Sequence, residues 1–389
     1  MKSIKITTLM WASYCSILDR AYKSLKEFLR DNYNVDLQMK IYSTRDIEEK
    51  FERFLRDIKE SHLVLIYRIS SEIYDRIPIL ENSIVIGQDP QYWNSKLSPK
   101  AYLYTVYGGI ENFKNLILYL LANSSVVESI EYSEPLKFPF QGIYLKEDGN
   151  IKIYENLQDF LKDKEFNKKY TVGVLFSRHY LINEDMEVID MLIDKLEEHF
   201  NVISVFTYGA KDEDLGAWGS GECVMRYFFK DNKPVIDALI NLLSFPLGTT
   251  KEGGALKKMD GVDILKKLDV PVFHPVVSYY KSYEEWERDK NGLSFEIGWN
   301  VALPELEGVI EPIIVGTTEK VGCLEKKKPI EDRIDKLVRR IKRWTELKYK
   351  DRSDRKVIFI LHSNACASLE ATVGSAAHLD TFEISREEV

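Results

Sequence analysis

The sequence predicts an α/β protein: two Rossmann-like parallel-sheet units that form a cleft, joined by an irregular region. Three observations carry that expectation. Apolar β-rich runs alternate with amphipathic helical stretches through residues 1–125, and the same alternation restarts at Tyr170. Between them, residues 126–169 hold prolines and an Asp-Gly turn signal. Strand–helix–strand order implies parallel neighbours, because each parallel pair needs a crossover connection.

In the first unit Ile4–Leu9 reads as a strand and Ile17–Arg30 as a helix. Val35–Ile41 is a second strand, followed by a charged amphipathic helix from Thr44 to about Glu60. His62–Tyr67 and Ser83–Ile86 follow as buried strands, and Tyr102–Asn123 carries apolar residues every three to four positions. The linking region, 126–169, is expected to be irregular, without a long core strand and with a hairpin at Gly142–Tyr154. The second unit, 170–328, opens with the strand Tyr170–Phe176, the helix Met186–His199 and the strand Asn201–Phe206. A helix near Lys233–Leu243 and short strands near Ser244 and Val270–His274 complete it. The final segment, 329–389, contains a basic amphipathic helix (Pro329–Tyr349), a strand (Lys356–Leu361) and a loop-rich tail. Loops at Ser177–Asn183, Tyr208–Glu222, Pro246–Gly254 and His274–Lys281 fall at strand ends, where open parallel sheets place a ligand crevice.

Composition narrows the function. With 389 residues, 44% hydrophobic and 30% charged, the chain is long enough for two or three domains. A formal net charge of -8 argues against general nucleic-acid binding, which needs a basic face. No uncharged apolar run approaches the ~18 residues of a membrane span, and the opening MKSIKITTLMWASYC lacks a signal-peptide core. Cys15, Cys223, Cys323 and Cys366 are widely spaced, which suits a reducing cytoplasm. The Gly248–Gly254 stretch lacks the Gly-Lys-Ser/Thr of a phosphate loop, and no GxGxxG follows Tyr170–Phe176, so no bound nucleotide is expected.

Candidate site residues are therefore polar groups at predicted strand ends. Arg178 and His179 follow the first strand of the second unit, and His274 ends an apolar strand before Pro275. Glu305 could be a cleft carboxylate, although a Pro-Glu turn explains it equally well. The tail is denser: His362, Asn364, Cys366, Glu370, His378 and Asp380 combine imidazole, thiolate and carboxylate, a set that borderline divalent metals accept. Its spacing matches no standard structural metal site.

The segment TVGVLFSRHYLI, a helix and NVISVF, then LDVPVFHP, SYEEWERDKNGLS, VALPELEGVIEPIIVG, DRIDKLVRRIKRWTELKY and RKVIFILHSNACASLEATVGSAAHLDTFE resemble, in that order, the CobN/magnesium chelatase H family. The resemblance covers roughly Tyr170 to Glu383. It implies a cobaltochelatase-like metal-inserting subunit for cobalamin or chlorophyll-type cofactor biosynthesis, of which this chain alone is an incomplete part. It further implies a tetrapyrrole substrate, a divalent metal substrate (cobalt, with magnesium or nickel as alternatives) and partners: a companion subunit and a separate AAA+ ATPase that uses the ATP. Under this resemblance His362, His378 and Asp380 are expected to be catalytic, and Cys366, His362 and His378 to meet the metal. Arg178, His179, His274, Glu305 and Asn364 are then expected to bind the substrate. Where relatives carry something like HNNPCAS, this chain has His362-Ser-Asn364-Ala-Cys366-Ala-Ser. Two other readings stay open: a non-catalytic cytoplasmic tetrapyrrole- or small-ligand-binding module, and a scaffold that only docks the ATPase.

Overall fold

The computed structural model describes residues 1–358 except 68, 79, 87–89, 125–126, 128, 245–246, 248–259 and 323. The chain divides into two compact units, Met1–Val338 and Arg339–Val389.

The first unit begins with β1 (Lys2–Met10), α1 (Ala12–Tyr33), β2 (Val35–Ser43), α2 (Ile47–Glu60), β3 (Leu63–Tyr67), α3 (Ser71–Tyr74) and β4 (Ser83–Ile86). These strands form an all-parallel sheet in the order β2-β1-β3-β4. Period-2 alternation divides its side chains between two cores. Ile4, Ile6, Leu63, Leu65, Ile84 and Ile86 join a core with α1, α4 (Ser98–Tyr107) and α5 (Ile110–Asn123). Leu9, Val64, Ile66 and Val85 face the other way, onto Ile47, Phe54 and Ile58 of α2. Asn34 closes α1 in the left-handed conformation, at φ 52°, a role that asparagine tolerates.

The second parallel set follows β5 (Gln141–Glu147), β6 (Asn150–Tyr154) and α6 (Leu157–Asp163). It runs β7 (Thr171–Ser177), α7 (His179–Ile182), α8 (Glu187–Glu197), β8 (Asn201–Thr207) and α9 (Ser220–Tyr227). A small hairpin of β9 (Phe229–Lys230) and β10 (Lys233–Pro234) precedes β11 (Ala238–Asn241), α10 (Asp260–Leu268) and β12 (Val272–Phe273). The six-stranded order is β12-β11-β7-β8-β5-β6. Its parallel part, read as β8-β7-β11-β12, repeats the connectivity of the first sheet.

Three details differ from expectation. The hairpin at 141–154 forms as predicted, but β5 pairs antiparallel with β8 and buries Ile143, Tyr144 and Leu145. Residues 126–169 therefore do supply a core strand. The helix predicted near Lys233–Leu243 is instead β10 and the fully buried β11, and Ser244 lies outside any strand. Short apolar runs do not reveal their period, and a strand buried on both faces shows no alternation. The strand predicted at Lys356–Leu361 falls half outside the described residues, and its first three positions are irregular.

After β12 the dipeptide His274-Pro275 moves the chain into a third sheet. Here β13 (Val276–Val277) pairs parallel with β14 (Ile314–Val321), and β14 pairs antiparallel with β15 (Leu324–Pro329). Between them lie α11 (Tyr283–Arg288), a 3₁₀ turn at Ser294–Glu296, a π-helical turn at Gly298–Ala302 and α12 (Leu303–Leu306). A capping box opens α11: Ser282 accepts from the Glu285 N–H, and Glu285 accepts from the Ser282 N–H. Side chains protect the outer edge of β15. Ser16 Oγ accepts from the Glu325 N–H and donates to its carbonyl, and the Asp185 carboxylate accepts the Lys327 N–H. The predicted basic helix is α13 (Glu331–Lys348).

Gly173, central in β7, has no room for a side chain. A Cβ there would lie 2.8 Å from Phe228 Cε1 and 2.9 Å from Ile236 Cδ1. Gly173→Ala should therefore destabilise the protein by about 1–3 kcal/mol in urea unfolding, although alanine is ordinarily the better strand residue.

Candidate functional site

The residues expected at strand ends take up separate positions. Arg178 follows β7 and is 1% exposed. Its Nε donates to the Pro139 carbonyl at 2.6 Å, Nη1 to Val106 at 2.8 Å, and Nη2 to Tyr107 at 2.7 Å and Phe138 at 3.0 Å. The rings of Phe138 and Phe140 cover its guanidinium. Four backbone carbonyls thus take its hydrogen bonds, so Arg178 is a structural bolt and does not fit the substrate-binding role expected for it. Burial lowers its pKa to about 10, still far above neutrality. His179, the first residue of α7, is half-buried. Its Nδ1 lies 3.3 Å from Asn183 Nδ2, and its ring meets Tyr14 of α1 edge-on at 6.5 Å. The loop after β7 therefore docks onto the first layer.

His274 is 2% exposed, with Nδ1 2.8 Å from the Asn241 carbonyl. A carbonyl only accepts, so the proton sits on Nδ1 and, in the neutral ring, Nε2 carries the lone pair. Burial lowers its pKa to about 4 and keeps the ring neutral at physiological pH. Glu305 is exposed on α12. Two residues on, Glu307 is the buried carboxylate: it accepts the Leu247 N–H at 3.2 Å, and burial raises its pKa. A Cβ on Gly261, at the start of α10, would lie 2.3 Å from Glu307 Oε1, so the carboxylate is seated against that helix N-terminus. His362, Asn364, Cys366, Glu370, His378 and Asp380 lie outside the described residues. Among the described residues, no group of three or more His, Cys, Asp or Glu side chains is arranged to hold a metal ion.

A cluster not anticipated from the sequence lies where the carboxyl edge of the first sheet meets the third. Arg45, in the turn after β2, places its guanidinium 4.2 Å from the Tyr279 ring centre and 4.6 Å from that of Tyr280. Its Nη1 donates to the Tyr279 carbonyl at 2.8 Å, and its Nε is 2.6 Å from Glu325 Oε1. Lys327, 5% exposed, donates from Nζ to Thr318 Oγ1 at 2.6 Å and lies 4.5 Å from the Tyr279 ring centre. Burial lowers its pKa to about 8. The fully buried Glu296 accepts from Ser278 Oγ and from the Tyr279 N–H. Trp11, directly after β1, is 44% exposed and extends the rings outward: Trp11–Tyr279 centroids are 6.3 Å apart, Tyr279–Tyr280 5.0 Å and Tyr280–Trp299 6.3 Å. The exposed Trp11 ring and its partly exposed neighbours can stack on a flat ligand, while Lys327 and the Arg45 guanidinium are held within the cluster by Thr318, Glu325 and the tyrosine rings. A sequence signal existed for Lys327: in the run Lys326-Lys327-Lys328, alternation sends the middle residue to the opposite face.

The CobN/Magnesium Chelatase family matches residues 102–386. The chain belongs to this family. It is 61% identical over 383 residues to the protein MJ1441 of Methanocaldococcus jannaschii, covering 98% of this chain and 30% of that protein. It is 26% identical over 290 residues to the magnesium-chelatase subunit ChlH of Oryza sativa subsp. indica, covering 70% of this chain and 20% of the subunit. Among solved structures it resembles the catalytic subunit of cobaltochelatase from Mycobacterium tuberculosis at TM-score 0.56 and 15% identity, covering 90% of this chain and 28% of that one. That likeness shows a shared mixed α/β fold. The chain thus spans less than a third of the length of these relatives. Among the described residues no helix is long and apolar enough to cross a membrane.

Two outcomes test this site description. Arg178→Met should cost about 3–5 kcal/mol in urea unfolding, because four buried carbonyls lose their donor; a loss below 1 kcal/mol would contradict the bolt. His274 binds a proton more weakly in the folded chain than its ordinary 6.5, so the unfolded state takes up more protons between pH 6.5 and about 4. Stability should fall across that window, with this residue contributing up to about 3 kcal/mol. His274→Gln should flatten that part of the curve of urea midpoint against pH.

Proposed function

We propose that this chain is part of the large subunit of a metallochelatase, the subunit that holds a tetrapyrrole while a divalent metal is inserted. Membership of the CobN/Magnesium Chelatase family over residues 102–386 carries this reading. The run of rings from Trp11 to Trp299 supports it chemically, since a tetrapyrrole is flat. The shared strand order of the two parallel sheets supports reading them as two Rossmann-like units.

In this reading the metal and the tetrapyrrole are both substrates. Insertion requires a macrocycle held flat, a metal stripped of water and two pyrrole protons accepted. His362, His378 and Asp380 would accept protons, and Cys366, His362 and His378 would meet the metal. That donor set favours cobalt over magnesium, which prefers oxygen ligands, with nickel as a further candidate. ATP would be hydrolysed on a separate AAA+ subunit, with a companion subunit completing a cytoplasmic complex in cobalamin or chlorophyll-type cofactor biosynthesis.

The test is a titration of the purified chain with a metal-free porphyrin or corrinoid, followed by tryptophan fluorescence and ligand absorbance. Saturable binding in the micromolar range is expected, weakened at least several-fold by Trp11→Leu. A folded sample that binds neither ligand removes tetrapyrrole binding from these residues.

A further inference from the structure

The seam between the first sheet and the third holds charged groups packed against aromatic rings. Arg45 reaches across it from the turn after β2, between Tyr279 and Tyr280, to Glu325 on β15. Lys327 stands two residues along the same strand, and its ammonium approaches the same Tyr279 ring. Two cations therefore share one aromatic ring, Tyr279, and one carboxylate, Glu325. Around the Lys327 ammonium are Glu325 on its own strand, Asp185 in the turn before α8, Glu296 in the 3₁₀ turn and Arg45 from the first layer. Burial opposes the charged amine most strongly and Arg45 adds to it, whereas the acids favour the charge.

We propose that Arg45 and Lys327 form a charge-sensitive clasp that sets how tightly the first sheet is held against the third. With Lys327 uncharged, Arg45 holds Glu325 and Tyr279 without a competing cation, and the seam is tight. With Lys327 protonated, the two cations repel each other and compete for Glu325, and the seam loosens. The lowered Lys327 pKa, about 8, places this change just above neutrality. The clasp is independent of any tetrapyrrole chemistry, because it follows from the contacts of Arg45 and Lys327 alone.

The seam carries its own reporter. The Glu325 amide donates to Ser16 Oγ on α1, the helix that packs on the first sheet. Its exchange with solvent follows the opening of this contact. Hydrogen exchange of the full chain, read by mass spectrometry over β15 and corrected for the intrinsic pH dependence of exchange, measures it. Wild-type protection should be several-fold higher at pH 9 than at pH 7, with the β7 segment unchanged as an internal control. Lys327→Met should be protected equally at both pH values, at the higher wild-type level. Arg45→Met should be weakly protected at both; if it does not fold, Arg45→Lys, which keeps charge without the planar fork, should behave in the same way. Equal wild-type protection at the two pH values, or a pH dependence that survives Lys327→Met, would overturn the proposal.

Discussion

The arrangement of the first compact unit depends on one buried cation. The Arg178 guanidinium sits at the end of β7 and ties it to the last carbonyls of α4 and to residues 138–139, which lead into β5. The carbonyls of Val106 and Tyr107 lie at the negative end of the α4 dipole, which favours a cation there. An isolated buried charge would be costly, and four carbonyls with two aromatic faces offset that cost. Neighbouring contacts rely on the same placement. The Gly109 N–H donates to the Ile182 carbonyl, and Gly108, at φ +71°, lies so close to Ile182 that a Cβ would sit 2.7 Å from its Cβ. Arginine suits this position because its planar fork directs several donors along fixed directions, whereas a lysine ammonium would reach fewer carbonyls.

The first parallel sheet and the β7–β8 pair were legible because their strands are long enough to show character and are separated by amphipathic helices. The alternation at Lys2–Met10 and the run at Leu63–Tyr67 leave little ambiguity, and Asp148-Gly149 marks the turn of the 141–154 hairpin. What the sequence hid was long-range pairing. Nothing local in Gln141–Glu147 states that it will add to β8, because the pairing partner lies some sixty residues away. The strand Ala238–Asn241 was hidden for a different reason: four buried residues carry no period. The third sheet was missed because β13 has two residues and β15 is rich in lysine, which reads as a solvated face.

The site residues follow the same logic. Arg178 and His274 stand out by position, and both are buried, but their hydrogen bonds go to backbone carbonyls. Position at a strand end is therefore a poor guide to ligand contact when another layer packs against that end. The Pro-Glu turn drew attention to Glu305, whereas the helical turn started by Pro304 directs Glu305 to solvent and Glu307 inward. An error of two residues reverses a role, because half a helical turn separates the faces. Arg45, Tyr279 and Glu325 meet only after folding, since more than 200 residues separate the first from the other two, and no spacing rule connects them.

This use of strand ends has a consequence for any ligand. An open parallel sheet ordinarily leaves a crevice beyond its carboxyl edge, at the point where strand order reverses. In the first sheet that point lies between β1 and β3, where Trp11 emerges, while the neighbouring β2 edge supplies Arg45 to the Tyr279–Tyr280 turn. In the second sheet the end of β7 is committed to α4, and the end of β12 passes through His274-Pro275 into another sheet. Carboxyl edges here serve to join layers. A ligand at such an edge would meet side chains from more than one layer, as the chain of rings from Trp11 to Trp299 already does. Binding there would respond to how the layers are held together, so a residue such as Arg45 would influence ligand contact through the seam even without touching the ligand itself.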